Sequence, residues 1–241
     1  MRAFSNNRAK RLRMEKRMTD IQHVLPEEIE KTSFQIIERE LGERGRSLPE
    51  EHRHILLRVI HTTADFDYID TMTFSEGAAE KAADAIRRGA HIVTDTNMAL
   101  AGVSKTALKK LGGEAHCFMA EPEIAEIARA RGSTRAVASM DFAAAHLPEA
   151  IFAVGNAPTA LFALTEQMEK GLRPALIVAV PVGFVNVVES KERVLDVCRK
   201  AGVPAIVALG RKGGSTVSAA ILNALCYEAV DMTDPARRGW D

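Results

Sequence analysis

No apolar run in this chain approaches the ~20 residues that a membrane-spanning helix needs. Aromatic residues are scarce at 5%, so the core has to be aliphatic. Cysteine is nearly absent. Cys117, Cys198 and Cys226 are odd in number, far apart and each set among apolar neighbours, which excludes a disulfide or zinc framework and predicts reduced, buried thiols in a cytoplasmic protein. Neither charge sign is in excess, since 32 basic residues meet 32 acidic ones. That balance argues against nucleic acid or an anionic membrane as a partner and requires any anionic ligand to be held by local groups. The opening "MRAFSNNRAKRLRMEKR" carries seven Lys or Arg but no apolar segment follows, so it lacks the pattern of a secretory signal. A basic, flexible arm is expected over residues 1–20 and one α/β domain over 21–241.

What the sequence does have is five short runs rich in Val, Ile and Ala: "HIVTD" from His91, "AHCFM" from Ala115, "IFAVG" from Ile151, "ALIVAVP" from Ala175 and "PAIVALG" from Pro204. Apolarity without alternation is the signature of strands buried on both faces. Helical patterns separate the runs, and Gly89, Gly132, Gly171 and Gly202 sit just past periodic segments, where a helix ends in a left-handed residue. The fold class is therefore α/β, a Rossmann-like, mainly parallel sheet with helices on both faces. The first third differs: "PEEIEKTSFQIIEREL" and "SLPEEHRHILLRVIHTTAD" read as two helices, and no clear buried strand precedes residue 70. They form an N-terminal helical arm packed on the body, the second helix capped by Ser47 with Glu50 as its box partner.

In open parallel sheets ligands bind at the carboxyl ends of the strands, where loops and helix starts converge. That rule selects Thr94, Asp95, Thr96 and Asn97; Gly155, Asn156, Pro158 and Thr159; Pro181, Gly183 and Phe184; and Gly210, Arg211, Gly213, Gly214 and Ser215. "LGRKGGSTVSAA" opens a helix on a glycine turn and suits a carboxylate or phosphate, yet Ser215 or Thr216 could equally be a plain N-cap there. It is neither a Walker motif nor a dinucleotide fingerprint. In "VGNAPTALFAL" Asn156 can cap a helix whose first turn holds Pro158, and "PVGFVNVVESKE" leaves Phe184 in a loop that could wall an apolar site.

Metal catalysis is not expected, because His23, His52, His91, His116 and His146 have no partners at metal-ligand spacing and no His-Glu-x-x-His occurs. His61 is different. It follows Leu57 by four and Arg58 by three, which puts a titratable ring on a partly apolar helix face near the helix end. Two readings stay open: a histidine that satisfies the helix dipole and last carbonyls, or one that carries a proton near neutrality.

Five ordered segments, "RVIHTTADFDY", "TDTNMALAGVSK", "GNAPTALFAL", "PVGFVNVVESKE" and "GRKGGSTVSAAILNAL", resemble the signature stretches of the precorrin-8X methylmutases of cobalamin biosynthesis. The resemblance runs from about Ser33 to about Leu225. It implies an isomerase that moves a methyl group from C-11 to C-12 of a corrinoid tetrapyrrole by a [1,5]-sigmatropic shift. The shift needs no metal and no cofactor from the protein; cobalt, if present, belongs to the substrate. "DTNMALAG" looks more like the branch that takes cobalt-precorrin-8 to cobyrinate than the one that takes precorrin-8X to hydrogenobyrinate. His61 then matches the family's catalytic histidine, and Arg58, one turn behind it, is expected to touch the substrate. A carboxylate-fringed disc also implies contacts from Arg135 and Arg211, from Ser33 on the helical arm, from Thr94, Asp95 and Phe184, and from the helix starts at Asn156, Pro158 and Thr159 and at Gly213, Gly214 and Ser215. Family members are homo-oligomers with sites near subunit boundaries. The competing reading is a non-catalytic Rossmann-like carrier. A nucleotide carrier should show the phosphate fingerprint missing here, and a tetrapyrrole carrier should tolerate loss of His61.

Overall fold

In the computed structural model residues 25–233 are described; the basic arm expected over residues 1–20 lies outside them. Strands β2 (Ile92–Thr94), β4 (Ile151–Val154), β5 (Leu176–Ala179) and β6 (Ala205–Ala208) are buried at every residue. Their sequences therefore show no polar alternation, because both faces of the sheet are covered. β3 (Ala115–His116), within "AHCFM", is only two residues long and sits at one edge. At the other edge β1 (Met72–Phe74) pairs antiparallel with β6. None of the apolar runs marks β1, whose three residues lack the Val and Ile of the central strands and of which only Met72 is buried.

Strand order is β1-β6-β5-β4-β2-β3. After β2 the chain moves outward to β3 and then crosses back to β4, so the order reverses between β2 and β4. A crevice for ligands opens at the carboxyl ends of strands at such a switch point.

Successive strand residues face opposite helical layers. Ile92, Ile151, Val178 and Ile206 pack against α3 (Glu50–Thr63), α5 (Ala78–Arg87) and α12 (Ser215–Ala229). Val93, Phe152, Ile177 and Val207 pack against α9 (Arg135–His146), α10 (Pro158–Glu169) and α11 (Val187–Ala201). The helix stops fall where expected, with φ of +83°, +59°, +112° and +68° at Gly89, Gly132, Gly171 and Gly202. No helix among the described residues is long and apolar enough to cross a membrane.

The helical arm consists of α1 (Pro26–Leu41), the single turn α2 (Glu43–Arg46) and α3. Ile37 and Leu41 of α1 meet Leu57 and Ile60 of α3 around Phe34, while Ile55, Leu56 and Val59 on the other side of α3 join the core. One cap is corrected. Ser47 closes α2, its Oγ donating to the Arg44 carbonyl at 2.9 Å, and Pro49 takes the N-cap place of α3. Proline disfavours helical geometry at the preceding Leu48 and has no N–H for a serine hydroxyl to meet. The helix begins at Glu50.

Candidate active site

The crevice between β2 and β4 is organised by a carboxylate. Asp95, at the end of β2, is fully buried. Its Oδ1 accepts the N–H of Gly155 at 2.8 Å, and its Oδ2 accepts those of Asn156 and Ala157, each at 2.8 Å. Burial pushes the Asp95 carboxyl up from the usual carboxylate range, and the three N–H donors pull it back toward the ionised form. Thr94 is also fully buried, its hydroxyl within 3.1 Å of the Thr96 carbonyl and 3.2 Å of the His116 carbonyl. Thr94 and Asp95, expected to touch a ligand, are buried and hold loops together from inside, their polar atoms engaged by backbone groups.

The neighbouring positions face outward. Asn156 is exposed and does not cap α10; Ala157 occupies that place and Pro158 begins the helix. The Thr159 hydroxyl lies 3.4 Å from that of Thr134. Thr134 in turn caps α9 by accepting the N–H of Val137 at 3.2 Å. Arg135, exposed at the first position of α9, is thereby brought to the same rim as Thr159.

The glycine-rich loop meets this rim from the other side. A Cβ on Gly213 would lie 2.1 Å from the Val180 carbonyl oxygen, and one on Gly155 would lie 2.8 Å from the Ser215 Cα. Gly214 donates to Val180 at 2.8 Å and is itself the N-cap of α12, so neither Ser215 nor Thr216 caps the helix. Ser215 Oγ lies 2.8 Å from Thr96 Oγ1, which accepts the Ala99 N–H to cap α6 (Asn97–Gly102). Three strand-end loops thus converge on one place, with the unpartnered first N–H groups of α12 among them.

Two lysines that composition and motifs did not single out fix this loop. Lys191 is fully buried, and its Nζ donates to the carbonyls of Gly210 and Lys212, each at 2.8 Å. Burial brings its pKa down to about 8. A sequence signal exists: Lys191 falls on the same helical stripe as the buried Val187, Val194 and Cys198, where a charge needs a reason. Lys212 reaches Asp65 at 2.6 Å and Asp67 at 2.7 Å. It holds the Asp65 carboxyl below the usual range, and the two aspartates push the Lys212 ammonium upward. Asp65 and Asp67 lie in the turn just after α3, so this pairing binds the end of the His61 helix to the glycine-rich loop.

His61 is exposed in the last turn of α3 and packs edge-on against Phe34, ring centroids 5.4 Å apart. The carbonyls of Val59 and Ile60 are met by the Thr63 hydroxyl and by the N–H of Ala64, which adopts φ +53°. The imidazole is thus not what closes these last carbonyls. Burial lowers its pKa, Glu30 pulls it up and Arg58 pushes it down. Arg58, expected at the ligand, forms an ion pair with Glu30 at 13% exposure and lies over the rings of Phe34 and Tyr227. Its charge acts on His61 from behind. Ser33 is half-buried, its hydroxyl donating to the Ile29 carbonyl at 2.8 Å.

The fourth loop supplies an apolar wall. Phe184 is 83% exposed and Val185 77% exposed, and the Arg211 guanidinium lies 5.4 Å from the Phe184 ring. Of the thiols, Cys198 and Cys226 are buried as expected, which pushes both up to about 12, while Cys117 is half-buried. The histidines bring one further correction. His91 and His116 are partners after all, with Nδ1 and Nε2 2.9 Å apart, because parallel pairing of β2 and β3 joins residues that linear spacing separates.

Comparison with known proteins bears on the family and the fold. The family profile described as "Precorrin-8X methylmutase" matches residues 28–228. A cobalt-precorrin-8 methylmutase of Salmonella typhimurium is 45% identical, over 84% of this chain and 95% of that protein. A precorrin-8X methylmutase of Pseudomonas aeruginosa is 36% identical, over 83% and 94%. The crystal structure of a precorrin-8X methylmutase from Thermus thermophilus superposes with a TM-score of 0.76 at 42% identity, covering 84% of this chain and 96% of that one.

Proposed function

The chain belongs to the precorrin-8X methylmutase family and is an isomerase of cobalamin biosynthesis, and from that premise we propose that it moves a methyl group from C-11 to C-12 of a corrinoid with His61 as proton donor. The observation that supports this reading is the Lys212 bridge to Asp65 and Asp67, which ties the turn just after the His61 helix to the glycine-rich loop at the strand ends. Protonating the macrocycle makes its conjugated system electron-poor and favours migration. One carbon–carbon bond breaks at C-11, one forms at C-12, and the proton returns to His61, so the reaction remains an isomerisation. Acid catalysis of this kind contributes ~10²–10⁴-fold, and holding the ring in its reactive shape supplies the remainder.

The substrate's carboxylates are met by the exposed Arg135 and Arg211, which can bind them bidentately, and by the helix starts at Asn156 to Thr159 and Gly213 to Ser215. Phe184 forms part of the apolar floor. No cofactor of the protein is required, and cobalt enters only as part of the substrate. A non-catalytic carrier has no support among the methylmutase relatives.

The cobalt-containing substrate is the preferred one in this reading. Its support is the 45% identity to a cobalt-precorrin-8 methylmutase, against 42% and 36% to two proteins described as precorrin-8X methylmutases. Purified protein offered both substrates in parallel is expected to convert cobalt-precorrin-8 faster, followed by absorption spectroscopy. Preference for the metal-free substrate would overturn the assignment of branch, and conversion of neither would overturn the reading itself.

We also propose a homo-oligomer with its sites near the subunit boundary. Met98, Val182, Phe184 and Val185 are exposed together with the strand-end loops, an apolar rim that a second copy can cover. Sedimentation equilibrium should give a mass above 26.3 kDa per particle; a monomer at all concentrations would contradict it.

A further inference from the structure

Three polar side chains at the outer edge of the sheet take no part in the chemistry above. His91 precedes β2, and Glu114 and His116 flank Ala115 at β3. Residues two apart along a strand share a face, so Glu114 and His116 point the same way. The parallel register sets Ile92 opposite Ala115 and Val93 opposite His116, which puts His91 beside Glu114 on that same face. The ligand atoms of all three lie within 4.8 Å of one another.

We propose that His91, Glu114 and His116 form a binding site for one divalent transition-metal cation of the zinc class, which clasps the edge strand β3 to β2. The donor set is two imidazole nitrogens and one carboxylate oxygen. Such a mixture suits zinc, cobalt or nickel, whereas calcium and magnesium favour oxygen ligands throughout. The reach is right. Zinc–nitrogen bonds of 2.0–2.1 Å at tetrahedral angles set two ligating nitrogens ~3.3 Å apart, so the ring atoms of His91 and His116, 2.9 Å apart, need to part by a few tenths of an ångström and to turn their lone pairs to the metal, the proton between them moving to the far nitrogen of its ring.

The site is also built and reachable. His116 is braced by a parallel stack on Phe118, ring planes 3° apart with centroids at 5.7 Å. His91 lines an open cavity of about 570 Å³ that it shares with Arg88 and His146, so its side of the site is reachable from solvent. Glu114 is exposed and free to swing toward the pair. The consequence is structural. β3 contributes only two residues to the sheet, and a metal bridge joins it to β2 more firmly than so short a ladder can. His91 stands at the end of β2 opposite to Asp95, so the clasp is separate from the His61 chemistry.

The test uses the untagged full chain, stripped with a chelator and titrated calorimetrically with zinc chloride, cobalt chloride and magnesium chloride. One equivalent of zinc is expected to bind and to raise the melting temperature, and bound cobalt should show visible ligand-field absorption. Glu114→Gln and His91→Gln should each weaken zinc by roughly 100-fold or more, beyond what losing an outer-shell partner costs, while His146→Gln leaves it unchanged. Should His91→Gln fail to fold, the surface substitution Glu114→Gln carries the same reading. Absence of saturable zinc binding, unchanged affinity in Glu114→Gln, or magnesium bound as tightly as zinc would each overturn the proposal and leave His91 and His116 as a simple hydrogen-bonded pair.

Discussion

Replacing His61 by Ala or Asn is expected to slow methyl migration by ~10²–10⁴-fold, the range of a lost general acid, while the chain stays folded and still binds the corrinoid product. Both halves of that expectation have a structural cause. The imidazole is exposed and touches Phe34 edge-on, so its removal opens no core cavity. The helix end it occupies is closed by Ala64 and Thr63, so its removal also leaves those carbonyls paired. A tetrapyrrole carrier would tolerate the change without loss. Near wild-type turnover in either variant, measured with saturating substrate, would therefore sink the acid role.

The same residue gives a pH signature whose sign can be worked out. Burial, the leading cause, holds the His61 pKa below its reference of about 6.5 in the free protein. An acid must be protonated to act, so kcat/KM should fall as pH rises through that lowered value. A bound corrinoid brings many carboxylates, which favour the imidazolium, so kcat should hold out to higher pH than kcat/KM does. Rates that rise with pH toward a plateau would mean that the group acts as a base.

Legibility in the sequence followed how local each cause is. The buried strands and the glycine helix stops were readable, because covered faces and left-handed turns leave marks in consecutive residues. His61 was readable as a candidate, since a titratable ring on an apolar stripe is a local anomaly, but its placement depends on Lys212 meeting Asp65 and Asp67 far along the chain. The cap of α3 is not legible from Ser47 and Glu50 alone, because Pro49 disfavours helical geometry at Leu48. β1 was missed for want of length, and the pairing of His91 with His116 for want of register. A buried lysine such as Lys191 leaves a trace, a charge on an apolar stripe, without saying which loop it holds.

Asp95 carries the largest expected effect on stability. After a strand end an Asp reads as a ligand contact, yet here its two oxygens are spent on Gly155, Asn156 and Ala157. Asp95→Ala would leave three N–H groups without their acceptor, that of Gly155 buried and those of Asn156 and Ala157 part-buried. A buried orphan donor costs ~1–3 kcal/mol and one that water can reach costs less, so a loss of ~2–3 kcal/mol is expected, read as a lower midpoint in urea unfolding followed by circular dichroism. Asp95→Asn keeps the shape but turns an NH₂ toward at least one donor, so it should fall between Ala and wild type in stability. In both variants the rim carrying Asn156, Pro158 and Thr159 loses its anchor, and activity should fall together with stability. A direct contact with substrate predicts the opposite pattern for Asp95→Asn: an unchanged midpoint with a raised KM. That result would return Asp95 to the ligand and remove it from the scaffold.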